Sequence, residues 1–215
     1  MEKFLAYMKE DLNKIESVSF EELRINKENT ALIVVDMVKG FYNEGPLANP
    51  DVKNVIEPML KLNEKMKDYK KVFFIDSHNE NSVEFESYPR HCVEGTIEEE
   101  LIDEFLKSEA MTNENTIFIK KNSVNGFNAN GFEKIRDNKN IENFIVVGVC
   151  TDICVKNFAL SLKTYFNEKN LEKRIIVPAN MVETYDAEFH SRDFWNLTSL
   201  FEMKSNGVQI VKDIN

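Results

Sequence analysis

The sequence predicts an α/β fold, with a single domain built on a central, mostly parallel six-stranded sheet that carries helices on both faces. Apolar runs of strand length recur along the 215 residues. Segments with helical periodicity lie between these runs. Strands separated by helices of this length need right-handed crossovers, and these make the strands parallel. Because such sheets bind ligands beyond the carboxyl ends of their strands, functional residues are expected there.

The predicted strands are rich in Val, Ile and Phe, as is typical of strands that are buried on both faces. They span 30–36, 71–76, 115–120, 143–149, 174–179 and 208–213. Helical periodicity covers 51–69, 97–108, 130–138, 154–168 and 187–203. Residues 1–28 precede the first strand and are typical of a short amphipathic helical extension, either a surface appendage or an interface element. We therefore assign the main domain to 29–215.

Composition restricts the class of partner and the compartment. The net charge of −10 argues against nucleic acid and anionic membranes, because both reward a basic face, and favours a small neutral or cationic molecule. The acidic start "MEKFLAYMKEDLNKIE" lacks the features of a signal peptide, so a cytoplasmic location is expected. Three cysteines cannot all pair within one chain, and free thiols are expected. Whether the chain forms a homo-oligomer stays open.

Polar side chains follow the first four predicted strands. Asp36, Asp76 and Lys121 end the first three, and the turn from Cys150 to Cys154 follows the fourth. A lone aspartate at a strand end is more often a helix cap, but a thiol, a carboxylate and an ammonium at one sheet edge supply a nucleophile, a base and an electrostatic partner. A thiol at a helix start has its pKa lowered by the helix dipole, which predicts a reactive Cys154. The alternative is that Cys154 is a small core hydrophobe.

A second cluster of polar residues follows the second strand. Asp76 and His78 are two residues apart, so their side chains point the same way at a strand end. His91 follows a loop that contains Glu84 and Glu86. Imidazole and carboxylate groups are ligands for divalent transition metals, which predicts a metal site; the alternative is a polar surface loop with hydrogen-bonded histidines.

Motifs join these two clusters to a known family. The segments "ALIVVDMVKGF", "KNSVNGF" and "GVCTDICV" resemble those of the isochorismatase-like cysteine hydrolases, over about Thr30 to the last strand. The resemblance implies that Cys154 is the nucleophile and that Asp36 and Lys121 are its catalytic partners. It also implies a non-proline cis peptide between Val149 and Cys150. The backbone N–H groups of Cys150 and Cys154 would form the oxyanion hole.

The loop "DSH" followed by "YPRHCVEGT" resembles the metal loop of the nicotinamidase/pyrazinamidase branch of that family. The metal ligands that this implies are Asp76, His78, Glu86 and His91, with Glu84 as the less favoured alternative to Glu86. The implied metal is one divalent transition ion, zinc first, with iron and manganese as alternatives.

The substrate-binding residues that the resemblance implies are Phe41, Tyr88 and Val149. Two departures from the family pattern, Val124 and Asn125, fall in the pocket wall or beside it and leave the substrate preference open. His190 lies in the segment that is predicted as the helix 187–203, and we expect a structural or surface role for it.

The resemblance implies that the protein hydrolyses nicotinamide, and pyrazinamide with it, to the acid and ammonia through a thioester, as a step of NAD salvage. Two other functions stay open. One is another hydrolase of the same superfamily that acts on a different small amide or enol ether. The other is a non-catalytic or thiol redox protein, although redox pairs more often have two residues between their cysteines than the three found here.

Overall fold

The computed structural model describes residues 1–111 and 114–215 and contains the predicted parallel sheet. Its strands are β1 (Thr30–Val35), β2 (Lys70–Asp76), β3 (Thr116–Lys121), β4 (Asn143–Val149), β5 (Arg174–Pro178), β6 (Val182–Glu183) and β7 (Gln209–Val211). Their order is β3-β2-β1-β4-β5-β7, and all of these pairs are parallel. The six predicted strands are confirmed. The short β6, which pairs with the end of β4, was not predicted, because two residues carry no periodicity.

The helices lie close to most of the predicted segments. They are α1 (Glu2–Leu12), α2 (Phe20–Leu23), α3 (Lys39–Tyr42), α4 (Lys53–Lys65), α5 (Asp103–Leu106), α6 (Glu133–Arg136), α7 (Lys156–Glu168) and α8 (Arg192–Ser205). The predicted helix 97–108 is interrupted, because Leu101 pairs with Val38 and the N–H of Ile102 donates to the carbonyl of Met37. Tertiary pairing has replaced the helical hydrogen bonds there.

Helices cover both faces of the sheet and enclose two hydrophobic clusters. Successive residues of β1 alternate between them, with Leu32 in one and Ile33 in the other. Met59 of α4 belongs to the first cluster and Phe158 of α7 to the second. Burial on both faces explains the continuous apolar runs in the sequence.

The N-terminal extension packs on the main domain. The Phe4 ring of α1 lies edge-on to Phe201 of α8 at 5.8 Å between centroids, and Lys204 forms an ion pair with Asp11 at 2.5 Å. Val18 pairs with Ile214 in a parallel bridge. The boundary at residue 28 stays a prediction. Among the helices of the described residues, none has the length and apolar character needed to cross a membrane.

Gly148 permits the close approach of β4 to β1, and we predict that Gly148→Ala disrupts the sheet. Its φ is +123°, and a Cβ there would overlap the carbonyl oxygen of Val35. Urea unfolding should show a loss of more than about 3 kcal/mol, because backbone atoms cannot move aside. Gly131→Ala is the control, since Gly131 also has a positive φ but its added Cβ meets open space. It should cost only about 1–2 kcal/mol. Equal losses of stability in the two variants would show that the positive φ alone, and not the overlap with Val35, sets the cost.

Lys71 is fully buried near the amino end of β2, and we predict that it makes stability rise with pH. Its Nζ donates to Asn63 Oδ1 at 3.0 Å and to the carbonyl of Ala110, and burial lowers the pKa of Lys71 to about 8. Above that pH the folded chain releases a proton that the unfolded chain keeps until its own, higher pKa, so stability increases with pH in this window. The free energy of unfolding of the wild type, minus that of Lys71→Met, should therefore rise between pH 8 and about pH 10. A constant difference over this range would contradict the prediction.

Candidate active site

The carboxyl ends of four neighbouring strands bring the predicted catalytic residues together. Asp36 follows β1, Asp76 ends β2 and Lys121 ends β3, where the sheet register places it beside Asp76. Cys154 lies in a π-helical turn, Thr151–Val155, that follows β4. The convergence follows from the strand order β3-β2-β1-β4.

Lys121 is a buried cation that lies between two carboxylates. Its Nζ is 2.8 Å from Asp36 Oδ2 and 2.6 Å from Asp76 Oδ1. Burial opposes its charge, but the two carboxylates outweigh burial and raise the pKa of Lys121 well above its usual value. Lys120, the adjacent residue, is exposed and pairs with Glu94. Of the two lysines, Lys121 is therefore the one that faces the site.

Asp36 has the chemistry of a general acid and base. It is fully buried, and its φ of +53° places it in the left-handed region, which aspartate tolerates better than most residues. Burial raises the pKa of Asp36 to about 7, although the charge of Lys121 opposes the shift. A carboxyl group with a pKa near neutrality both accepts and returns a proton at physiological pH.

The prediction that a helix dipole lowers the pKa of Cys154 is wrong. Burial raises the pKa of this thiol well above its usual value, although Lys121 acts in the opposite direction. The regular helix α7 begins only at Lys156, two residues after the thiol. Cys154 is therefore a protonated thiol at rest and needs a base, for which Asp36 is in place. The peptide between Val149 and Cys150 is cis.

Asp76, His78 and His91 form a buried group that could hold a metal ion, with ligand atoms within 4.8 Å of one another. The Nε2 atoms of both histidines approach the same carboxylate oxygen, Asp76 Oδ2, at 3.0 and 3.1 Å. Burial opposes the charge of Asp76, but Lys121 and the histidines outweigh it and hold the pKa of this carboxylate well below its usual range. A charged carboxylate therefore faces both rings.

Hydrogen bonds behind the rings orient both histidines for metal binding. His78 Nδ1 lies 3.2 Å from Asn122 Oδ1, which also accepts from the backbone N–H of Asn79. His91 Nδ1 lies 2.7 Å from the carbonyl of Pro89. Because both partners accept, Nδ1 of each ring donates to them, and Nε2 is the nitrogen that faces Asp76 and that a metal would use. Metal-binding histidines are usually held in this way, so the group fits a metal.

The geometry favours Glu84 over Glu86 as a fourth ligand. Glu84 Oε1 is buried without a hydrogen-bond partner and lies 3.6 Å from His78 Nε2. Glu86 is exposed, as is Val83. The segment Val83–Glu86 is a 3₁₀ helix, in which residues three apart share a face, so Val83 and Glu86 both lie on the solvent side. The sequence resemblance ranked these two glutamates in the opposite order.

A cavity of about 540 Å³ opens onto both the thiol and the metal group. Its wall contains Phe41 and Tyr88, as predicted, with ring centroids 5.6 and 6.3 Å from that of His91. Val149, the third predicted contact, is fully buried in the core and lies outside the described lining, because β4 is still covered on both faces there.

Of the two positions that depart from the family pattern, Val124 lines this cavity and Asn125 instead donates to Ser161 Oγ. Only the first therefore alters the wall directly. Sequence reasoning missed Asp152 and Thr184, which form a hydrogen-bonded chain with His190 behind the nucleophile turn, Thr151–Val155. For His190 it expected a structural or surface role. Asp152 lies inside the "GVCTDICV" motif, and this position was the one signal available.

Comparisons with known proteins place this chain among hydrolases of one family. A profile of the isochorismatase domain family matches residues 30–206. Nicotinamidase 1 of Arabidopsis thaliana is 29% identical over 226 residues, which cover 91% of each chain. The structure is similar to N-carbamoylsarcosine amidase from Thermoplasma acidophilum (26% identity, TM-score 0.67, 86% of this chain and 96% of that one). It is also similar to a zinc complex of pyrazinamidase from Pyrococcus horikoshii (26% identity, TM-score 0.68, 86% and 99%).

We predict that Lys121→Met slows alkylation of Cys154 by iodoacetamide at least about tenfold at fixed pH. Loss of the cation leaves two carboxylates beside the thiol, and each further pKa unit lowers the thiolate fraction tenfold. Peptide mapping by mass spectrometry separates Cys154 from the other cysteines. Lys120→Met, which removes the exposed neighbour, should react like the wild type. Equal rates in all three proteins would exclude Lys121 from the activation of the thiol.

Proposed function

The chain belongs to the isochorismatase family, and from this premise we propose that it is a cysteine amidohydrolase that converts nicotinamide, and pyrazinamide with it, to the acid and ammonia. The observation that carries the proposal is the buried group of Asp76 and two oriented histidines, of which Asp76 and His91 line the same cavity as Cys154. The names of the Arabidopsis and Pyrococcus relatives support it. The cytoplasmic location and the place in NAD salvage stay predictions.

The cavity offers matching groups for both ends of a pyridine carboxamide. Phe41 and Tyr88 provide aromatic surfaces for a flat ring. A zinc, iron or manganese ion bound by Asp76, His78, His91 and Glu84 would supply a Lewis acid for the lone pair of the ring nitrogen. The carboxamide carbon then faces the Cys154 thiol.

In the first half of the reaction, Asp36 takes the proton of the Cys154 thiol, and the sulfur attacks the carboxamide carbon. Lys121 balances the negative charge that develops beside it. The backbone N–H groups of Cys150 and Cys154 donate to the oxyanion, and each such donor is typically worth about a hundredfold in rate or more. Asp36 returns the proton to the departing nitrogen, the C–N bond breaks, and ammonia leaves behind a thioester.

In the second half, Asp36 accepts a proton from a water molecule, whose oxygen attacks the thioester carbon. The C–S bond breaks, the sulfur recovers a proton, and the acid is released. The pKa of about 7 suits Asp36 to this role, because the carboxylate must gain and lose a proton in each half. A thiol redox function is disfavoured, since burial also raises the pKa of Cys150 to about 12.

We predict that Glu84→Gln lowers metal content and raises the KM for nicotinamide by about tenfold to a hundredfold, the usual range for the groups that support a metal site. Elemental analysis and ammonia release measure the two effects. Glu86→Gln is the matched control and should behave like the wild type, because Glu86 is exposed.

Benzamide, which has the same shape without the ring nitrogen, should be a much poorer substrate than nicotinamide for the metal-loaded enzyme. Removal of the metal by a chelator should reduce the difference between the two turnover rates. Turnover of benzamide equal to that of nicotinamide would indicate that the natural substrate is a different amide. A loss of metal in Glu86→Gln but not in Glu84→Gln would restore the ligand order implied by the sequence.

A further inference from the structure

His190 lies between acceptors on both sides of its ring. Nε2 is 2.9 Å from Asp152 Oδ2, and Nδ1 is 3.0 Å from the backbone carbonyl of Tyr185. A carbonyl oxygen accepts only, and an ionised carboxylate also accepts only. A neutral imidazole has a single N–H, so only the doubly protonated ring donates to both partners.

Aromatic rings cover both faces of His190. The Tyr185 ring stacks on one face at 3.8 Å and 12°, and the Trp195 ring stacks on the other at 5.3 Å and 15°. The ring is therefore held by contacts at both nitrogens and by two stacked aromatic rings. The predicted position on a helix is wrong, because α8 begins at Arg192 and His190 lies in the preceding turn.

The partners of His190 belong to the nucleophile turn and to the cavity wall. Asp152 lies in the turn between Cys150 and Cys154, and its Oδ1 accepts from the Thr184 hydroxyl at 2.5 Å. Tyr185 lines the same cavity as Cys154. The imidazole therefore joins the turn that carries the thiol to the wall that faces the substrate.

We propose that His190 is a positioning residue that holds the cavity wall at Tyr185 against the nucleophile turn at Asp152. Its two ring nitrogens contact one partner on each side, so loss of the imidazole frees the wall. Since Thr184 still holds Asp152, the effect falls on substrate binding more than on the chemical step. This inference rests on the proposed amidohydrolase function.

The test compares His190→Phe and His190→Arg with the wild type. Phenylalanine keeps a ring between Tyr185 and Trp195 without donors, whereas arginine is planar, stacks and donates at every pH in use. The KM for nicotinamide should rise in His190→Phe by about tenfold, the size of one hydrogen bond to a charged group. His190→Arg should have a lower KM than His190→Phe, and kcat should change less than KM in both variants.

A second readout is independent of activity. Trp195 is the only tryptophan, so its fluorescence reports the ring stacked on it. Quenching of its emission by acrylamide should increase in His190→Phe, because the released wall exposes the indole, and should stay near the wild-type level in His190→Arg. A KM in His190→Phe equal to that of the wild type, or equal quenching in the two variants, would overturn the proposal. Absence of nicotinamide turnover in the wild type would refute the proposed function, and the quenching would still decide whether His190 holds the wall.

Discussion

The rest of the site depends on the ion pairs that the buried ammonium of Lys121 forms. It contacts one carboxylate from each of two neighbouring strands, Asp36 and Asp76, in a region with almost no solvent. Without the cation, two negative charges and a thiol would share one apolar space. The free-energy cost of burying two unpaired carboxylates would then be too high for both to stay charged. With the cation in place, the two carboxyl groups differ in pKa: that of Asp36 is near 7, and that of Asp76 is far below its usual range.

This difference separates two chemical tasks across one lysine. Asp76 uses Oδ1 for Lys121 and Oδ2 for the two histidines, so it stays charged and suits a metal. Asp36 has no histidine partner among the described contacts, and its proton is exchangeable near neutral pH. Pairs of carboxyl groups whose surroundings push their pKa values apart commonly divide acid–base work from charge stabilisation.

The sequence predicted the features that strand order determines, and it failed where the outcome depends on burial or on local turn geometry. Asp36, Asp76, Lys121 and Cys154 converge because each follows a strand of the same parallel sheet. The raised pKa of Cys154 could not be inferred, since a helix start is visible in sequence and the depth of burial is not. The preference for Glu84 over Glu86 depends on a 3₁₀ turn, and the role of His190 depends on contacts across 38 residues of chain.

Lys121 lies at the end of a strand on the edge of the sheet. β3 is an edge strand that pairs only with β2 among the described strands, and its Ile117 and Phe118 are exposed. Edge strands fray more readily than central ones, and local opening has a free energy far below that of global unfolding. Here the ion pairs of Lys121 connect the end of β3 to Asp76 in β2 and to Asp36 after β1. The residues that we propose for catalysis therefore also keep the sheet edge closed, and local opening of this strand would disrupt the candidate site while the rest of the domain stays folded.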